Sequence, residues 1–82
     1  MYLNEVRTIL TDTLGLGSAG AELGNDSPLL GSLPELDSMA VVNLIAALEE
    51  HFGIRVEDDE ISASTFATLG SLAAFVQEKL PA

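Results

Sequence analysis

At 82 residues and 8.6 kDa the chain has room for a single domain, 1–82, in which about 60% of the unfolded surface can be buried. Hydrophobic residues make up 48% and charged residues 20%, the balance of a folded globule and not of a disordered tail. With 13 Asp+Glu against 3 Lys+Arg the formal net charge is −10, which excludes nucleic-acid binding, disfavours anionic membranes and attracts partners with basic patches.

The absence of cysteine removes disulfide frameworks, thiolate catalysis and cysteine-ligated metal sites, and a single histidine makes a His-based metal site improbable. No basic segment followed by an apolar run opens the chain, and no stretch of about 18 apolar residues occurs. The expectation is a cytoplasmic, monomeric domain without membrane insertion, too small to build a closed catalytic cleft and so not an enzyme.

Leu3, Val6, Ile9, Leu10 and Leu14 keep the three-and-four spacing of one buried face, which predicts a first helix ending near Leu14 before Gly15 and Gly17. From Leu16 to Leu36 turn residues dominate, among them Gly24, Asn25, Asp26, Pro28, Gly31 and Pro34. Leu16, Leu23, Leu29, Leu30, Leu33 and Leu36 recur through this stretch and predict a long loop pinned across the core, with a single helical turn at Glu22–Asn25.

A second long helix is expected to start at Asp37 or Ser38, with Asp37 as its N-cap. Val41, Leu44, Ile45, Leu48 and Phe52 form its apolar stripe, widened by Val42 and Ala46, and Gly53 stops it. Ile54-Arg55-Val56 reads as an extended connector, since no second strand offers itself for pairing. The acidic run Glu57–Glu60 suits the start of a short helix over about Asp59 to Ser64. Thr68 then caps a last helix containing Leu69, Leu72, Ala73, Phe75, Val76 and Leu80, closed by Pro81. The fold class is all-α: three longer helices and one short helix in a small bundle, with a long loop between the first two.

Few residues have the pattern of a chemical site. Glu57–Glu60 lacks the alternating ligands and mid-loop glycine of a calcium loop and reads as a solvated helix start. His51 suits the negative end of the second helix, and the adjacent Glu49 and Glu50 point in different directions on it. Ser38 is held at an exposed helix start behind a capping aspartate. It has neither a G-x-S-x-G elbow nor a histidine in triad range, so it is not a hydrolase nucleophile, but it can be acted upon.

Leu36-Asp37-Ser38-Met39, followed by Val41-Val42-x-Leu44-Ile45-x-Ala47-Leu48-Glu49-Glu50-x-Phe52-Gly53-Ile54, resembles the acyl carrier protein family. The resemblance runs through the acidic segment to Phe66-x-Thr68-Leu69-x-x-Leu72 and covers nearly the whole chain. It implies a four-helix bundle with 4′-phosphopantetheine attached covalently to Ser38 by a phosphopantetheinyl transferase, Asp37 belonging to the motif, and acyl groups carried as thioesters on the arm's thiol. The implied partners are a loading ligase, synthases and acyltransferases with basic patches. They would meet a docking surface of Glu35, Met39, Val42, Asn43, Glu49 and Glu50.

Pro34-Glu35-Leu36 replaces the glycine and small residue usual before Asp-Ser in fatty-acid carriers, and Ala40 and Asn43 stand where those carriers present acids. The expectation is a specialised carrier for lipid or polyketide biosynthesis and not the housekeeping one, with Ala40 and Asn43 on its exposed surface. A stand-alone aminoacyl or peptidyl carrier of the D-alanyl type, and an unmodified acidic interaction module, remain as alternatives.

The net charge generates a direct expectation for stability. Salt or divalent cations should raise the melting temperature by screening Asp58, Asp59, Glu60 and the second-helix acids. A melting temperature unchanged from low to moderate salt would contradict it.

Overall fold

The computed structural model describes residues 2–80, the side chain of Asp58 apart. Its elements in order are α1 (Leu3–Leu14), α2 (Ser18–Ala21), α3 (Ser38–Phe52), a 3-10 turn (Asp58–Glu60) and α4 (Leu69–Lys79). The expected all-α bundle of three longer helices is what the chain forms, and its radius of gyration is 11.4 Å. Helix α1 is the hub and packs against α2, α3 and α4.

The core draws on all three longer helices. Val6 and Leu10 come from α1, Leu44 and Leu48 from α3, and Leu69, Leu72 and Val76 from α4, all with 1% exposure or less. Each such side chain contributes roughly 1.5–3 kcal/mol through burial. Leu29 and Leu36 from the long loop enter the same cluster, so that loop is part of the core's wall.

The loop's hold on the bundle is a short backbone ladder. Leu29 and Leu30 N–H donate to the Ala67 and Phe66 carbonyls, each at 3.0 Å, while Leu69 and Gly70 N–H donate to Ser27 and Asn25 oxygens at 3.0 and 2.8 Å. An isolated antiparallel bridge, Pro28 with Thr68, lies at its centre. The ladder continues directly into α4, whose start is fixed by a capping box: Thr68 Oγ1 accepts from Ser71 N–H, and Ser71 Oγ accepts from Thr68 N–H, both at 3.0 Å.

The differences from sequence expectation lie where tertiary contacts decide. The helical turn expected at Glu22–Asn25 forms earlier, at Ser18–Ala21. Gly20 lies against the Thr11 side chain with no room for a Cβ, which seats this turn on α1. Arg7 Nε takes the Leu23 carbonyl at 2.7 Å and Ser27 Oγ takes Gly24 N–H at 2.8 Å, so the chain leaves helical geometry there. The short helix expected over Asp59–Ser64 is only the 3-10 turn Asp58–Glu60. Beyond it Ser62 Oγ bonds Ser64 and Thr65 hydroxyls at 2.9 and 3.1 Å, local bonding that competes with helix. Leu30 is 45% exposed, because its neighbour Leu29 takes the core position. Val42 and Ala46 do not widen the buried stripe of α3: both are exposed, whereas Ala40 is buried. Pro81, read as the stop of the last helix, lies outside the described residues.

Two measurements test this packing. A Cβ at Gly70 would press on the Asn25 backbone carbonyl, at 2.7 Å, which the Gly70 N–H already binds. Overpacking of about 1–3 kcal/mol outweighs the roughly 1 kcal/mol that alanine adds in a helix, so Gly70→Ala should lower the denaturation midpoint. The second concerns Glu60, whose carboxylate receives Lys79 Nζ at 2.7 and 2.8 Å. That bond first, and the Glu57 N–H second, hold the Glu60 carboxyl below its usual range. Its stabilisation is therefore present above the ordinary carboxylate pKa and disappears as pH falls through the depressed value. Lys79→Met should be less stable than the parent at pH 7, by a small amount for a pair that is only half-buried, and equal to it in strong acid.

Candidate functional site

The segment 29–37 delivers Ser38 to the surface from two buried anchors. Leu33 N–H donates to the Leu29 carbonyl and Leu36 N–H to the Leu33 carbonyl, each at 3.0 Å, so successive turns span from one buried leucine to the next. Asp37 follows in an extended conformation (φ −101°, ψ −175°), and its Oδ1 accepts from Ala40 N–H at 2.8 Å. This bond satisfies one of the orphan donors of the helix start and sets Ser38 as the first helical residue. Asp37 and Ser38 are both exposed.

The hydroxyl thus stands on rigid backbone at the positive end of a fifteen-residue helix. Ala40, two residues on, is buried behind it and locks the orientation, contrary to the expectation that Ala40 lies on the exposed surface. His51 lies thirteen positions further along α3, about 20 Å away at 1.5 Å per residue, and is out of reach as a base.

Around Ser38 the surface mixes large apolar side chains with polar ones. Met39 is 68% and Val42 61% exposed, and Asn43 and Glu35 are exposed beside them. Leu30 is a further exposed large apolar side chain in the loop that leads here. Sequence reasoning placed Leu30 inside, and the signal it could have used is the doublet Leu29-Leu30, of which only one member can face the core.

Glu49 and Glu50 face different flanks of α3. Glu49 is half-buried, and its Oε2 accepts Val56 N–H at 2.8 Å. Gly53 makes this possible: its φ of 66° reverses the chain, and both Gly53 and Ile54 N–H return to the Glu49 carbonyl. Between α3 and the returning segment lies a groove of about 230 Å³, lined by Val42, Ile45, Ala46, Glu49, Val56 and Ile61. Val42, one turn below Ser38, is on its rim. Glu50 instead faces α1.

The residues present fit a phosphodiester-linked prosthetic group: an accessible primary hydroxyl, a capped helix start and exposed apolar side chains, Met39 and Val42, beside it. A family model described as the phosphopantetheine attachment site matches residues 4–76. The acyl carrier protein of Clostridium acetobutylicum is 31% identical over 77 residues, covering 94% of this chain and 94% of its own length. That of Thermotoga maritima is 25% identical over 77 residues, covering 94% and 89%. The holo acyl carrier protein of Nitrosomonas europaea, solved by solution NMR, superposes with a TM-score of 0.90 at 61% identity, over 96% of this chain and 95% of that one. The chain belongs to the phosphopantetheine-attachment family and, within it, to the acyl carrier proteins.

Proposed function

We propose that this carrier, a single domain over 1–82, bears its 4′-phosphopantetheine arm on Ser38 and presents acyl thioesters to partner enzymes without catalysing a reaction itself. The observation that carries the assignment is the exposed Ser38 hydroxyl in the first turn of α3, behind an aspartate whose side chain caps that turn. The bound arm supplies the thiol that the chain lacks. The protein's own residues supply an anchor: Asp37 fixes the helix start, Leu36 and Ala40 hold it to the core, and Met39 and Val42 border it with apolar surface. The groove flanked by Val42, Ile45, Val56 and Ile61 gives an apolar acyl chain a place to fold back.

The partners on this reading are a cytoplasmic phosphopantetheinyl transferase, a loading ligase and synthases or acyltransferases, met by a monomeric carrier through Glu35, Met39, Val42 and Asn43. The service is to a dedicated lipid or polyketide pathway. That reading rests on the exposed start of α3, where Met39, Val42, Asn43 and Ala46 present no carboxylate.

Incubation with coenzyme A and a promiscuous transferase should add one phosphopantetheine mass to the parent chain and none to Ser38→Ala, with unchanged helical circular dichroism. Addition that survives in Ser38→Ala overturns the assignment.

Pathway choice is tested by acyl elongation on the loaded protein. A housekeeping synthase should use the parent poorly and Asn43→Glu better, since only Asn43 of the two residues expected to accept an acid is exposed. Ala40→Asp would bury a charge and is expected to cost about 2–4 kcal/mol of stability. Equal use of the parent and of the synthase's own carrier would contradict a dedicated pathway.

A further inference from the structure

Where α1 passes the later half of α3, the two helices leave an open groove on the flank away from Ser38. Part of it, about 300 Å³, lies between Ile9 and Asp12 of α1 and Ala47, Glu50 and His51 of α3. It continues into a second part of about 350 Å³ that reaches Glu5. Ile9 and Ala47, both half-buried, give it an apolar floor, while Glu5, Asp12 and Glu50 are exposed acids on its rim. His51 lines both parts, and its ring is packed edge-on to Phe52 at 4.7 Å, which in turn packs edge-on to Tyr2 at 5.5 Å.

Among the described residues no lysine or arginine pairs with these acids, and the one ion pair is Lys79 with Glu60. Arg7 is turned onto the Leu23 carbonyl and Asn4 Oδ1, both at 2.7 Å. In a chain of net −10, a grooved surface with an apolar floor and an unneutralised acidic rim is complementary to one chemistry, a side chain array that is apolar and cationic. The spacing adds shape. Glu5, Ile9 and Asp12 follow one another at four and three residues along α1, a single stripe about 10 Å long. Its complement is a cation, an apolar residue and a cation over two helical turns.

We propose that the α1–α3 groove is a second docking surface, separate from the surroundings of Ser38, and that it receives a basic amphipathic helix of a partner protein. Glu50 lies twelve positions from Ser38 on α3, so the two surfaces are about 18 Å apart along one rigid helix. An apolar contact at one end and an ionic one at the other fix the carrier's orientation on its partner, which neither contact does alone.

The test is NMR titration of the isotope-labelled full chain with a synthetic capped helix carrying Lys-x-x-x-Leu-x-x-Lys on an alanine and glutamine background. Its controls replace the leucine by serine or the lysines by glutamate. Amide shifts should concentrate at Glu5, Ile9, Asp12, Ala47 and Glu50 and be weak with both controls. The double variant Glu5→Gln with Asp12→Asn should bind about 3- to 10-fold more weakly while keeping its circular dichroism and its loading at Ser38. Shifts centred on Met39 and Val42, or equal binding by the double variant, would overturn the proposal. So would shifts at the groove that depend on the concentration of the free chain, which would assign the groove to a second copy. Loading at Ser38 is read on the same samples, so failure of the groove and failure of the attachment site are told apart.

Discussion

The ladder between residues 25–30 and 66–70 is the constraint on which the rest of the molecule depends. A loop of some twenty residues in so small a bundle would be entropically expensive to order on side-chain contacts alone. Its N–H and carbonyl groups instead find partners in the chain entering α4, including the first N–H groups of that helix, which have no intrahelical acceptor. The same bonds thus cap one helix and fasten the run-in to another. With Leu29 and Leu36 held in the core, the start of α3 has one available position, and Ser38 is placed by residues far from it in sequence.

The surplus of acid is divided by duty more than the sequence suggests. Asp37 closes a helix start, Glu49 ties the segment after α3 through the Val56 amide, and Glu60 binds Lys79. These carboxylates belong to the architecture and are drawn back from the solvent field to varying degrees. The acids free to act at a distance are others, Glu5, Asp12 and Glu50 among them, and two of these lie on a helix with no part in the attachment motif. A count of charges gives the strength of the field, but hydrogen bonds decide where it points.

What could be read from the chain divides along the same line. The bounds of α1 and α3, the Asp37 cap and the Thr68 start of α4 are local events, written in residues within a turn of one another, and the structure has them where the sequence placed them. The early position of α2 depends on a glycine meeting Thr11, and the fate of Leu30 depends on which leucine of a doublet the ladder turns inward. Ala40 turns inward where the surface was expected, and Val42 lies on the surface and not in the buried stripe, because the face of α3 that meets the bundle is set by its neighbours and not by its own hydropathy. For the site, the serine and its cap were legible. The α1–α3 groove was not, since it exists only once two helices distant in sequence lie side by side.

The rigidity of the Ser38 backbone has a consequence for traffic between enzymes. With the arm on Ser38 as proposed, an anchor fixed by a cap on one side and by Leu36 and Ala40 on the other contributes almost no reach of its own. All the searching is then done by a short flexible tether, for which effective concentrations are of the order of millimolar. At that local concentration an active site is found by its cargo as soon as the carrier touches down, however loosely. Strong association would bring no gain in delivery and would slow departure, so this geometry favours brief visits and rapid exchange from one enzyme to the next.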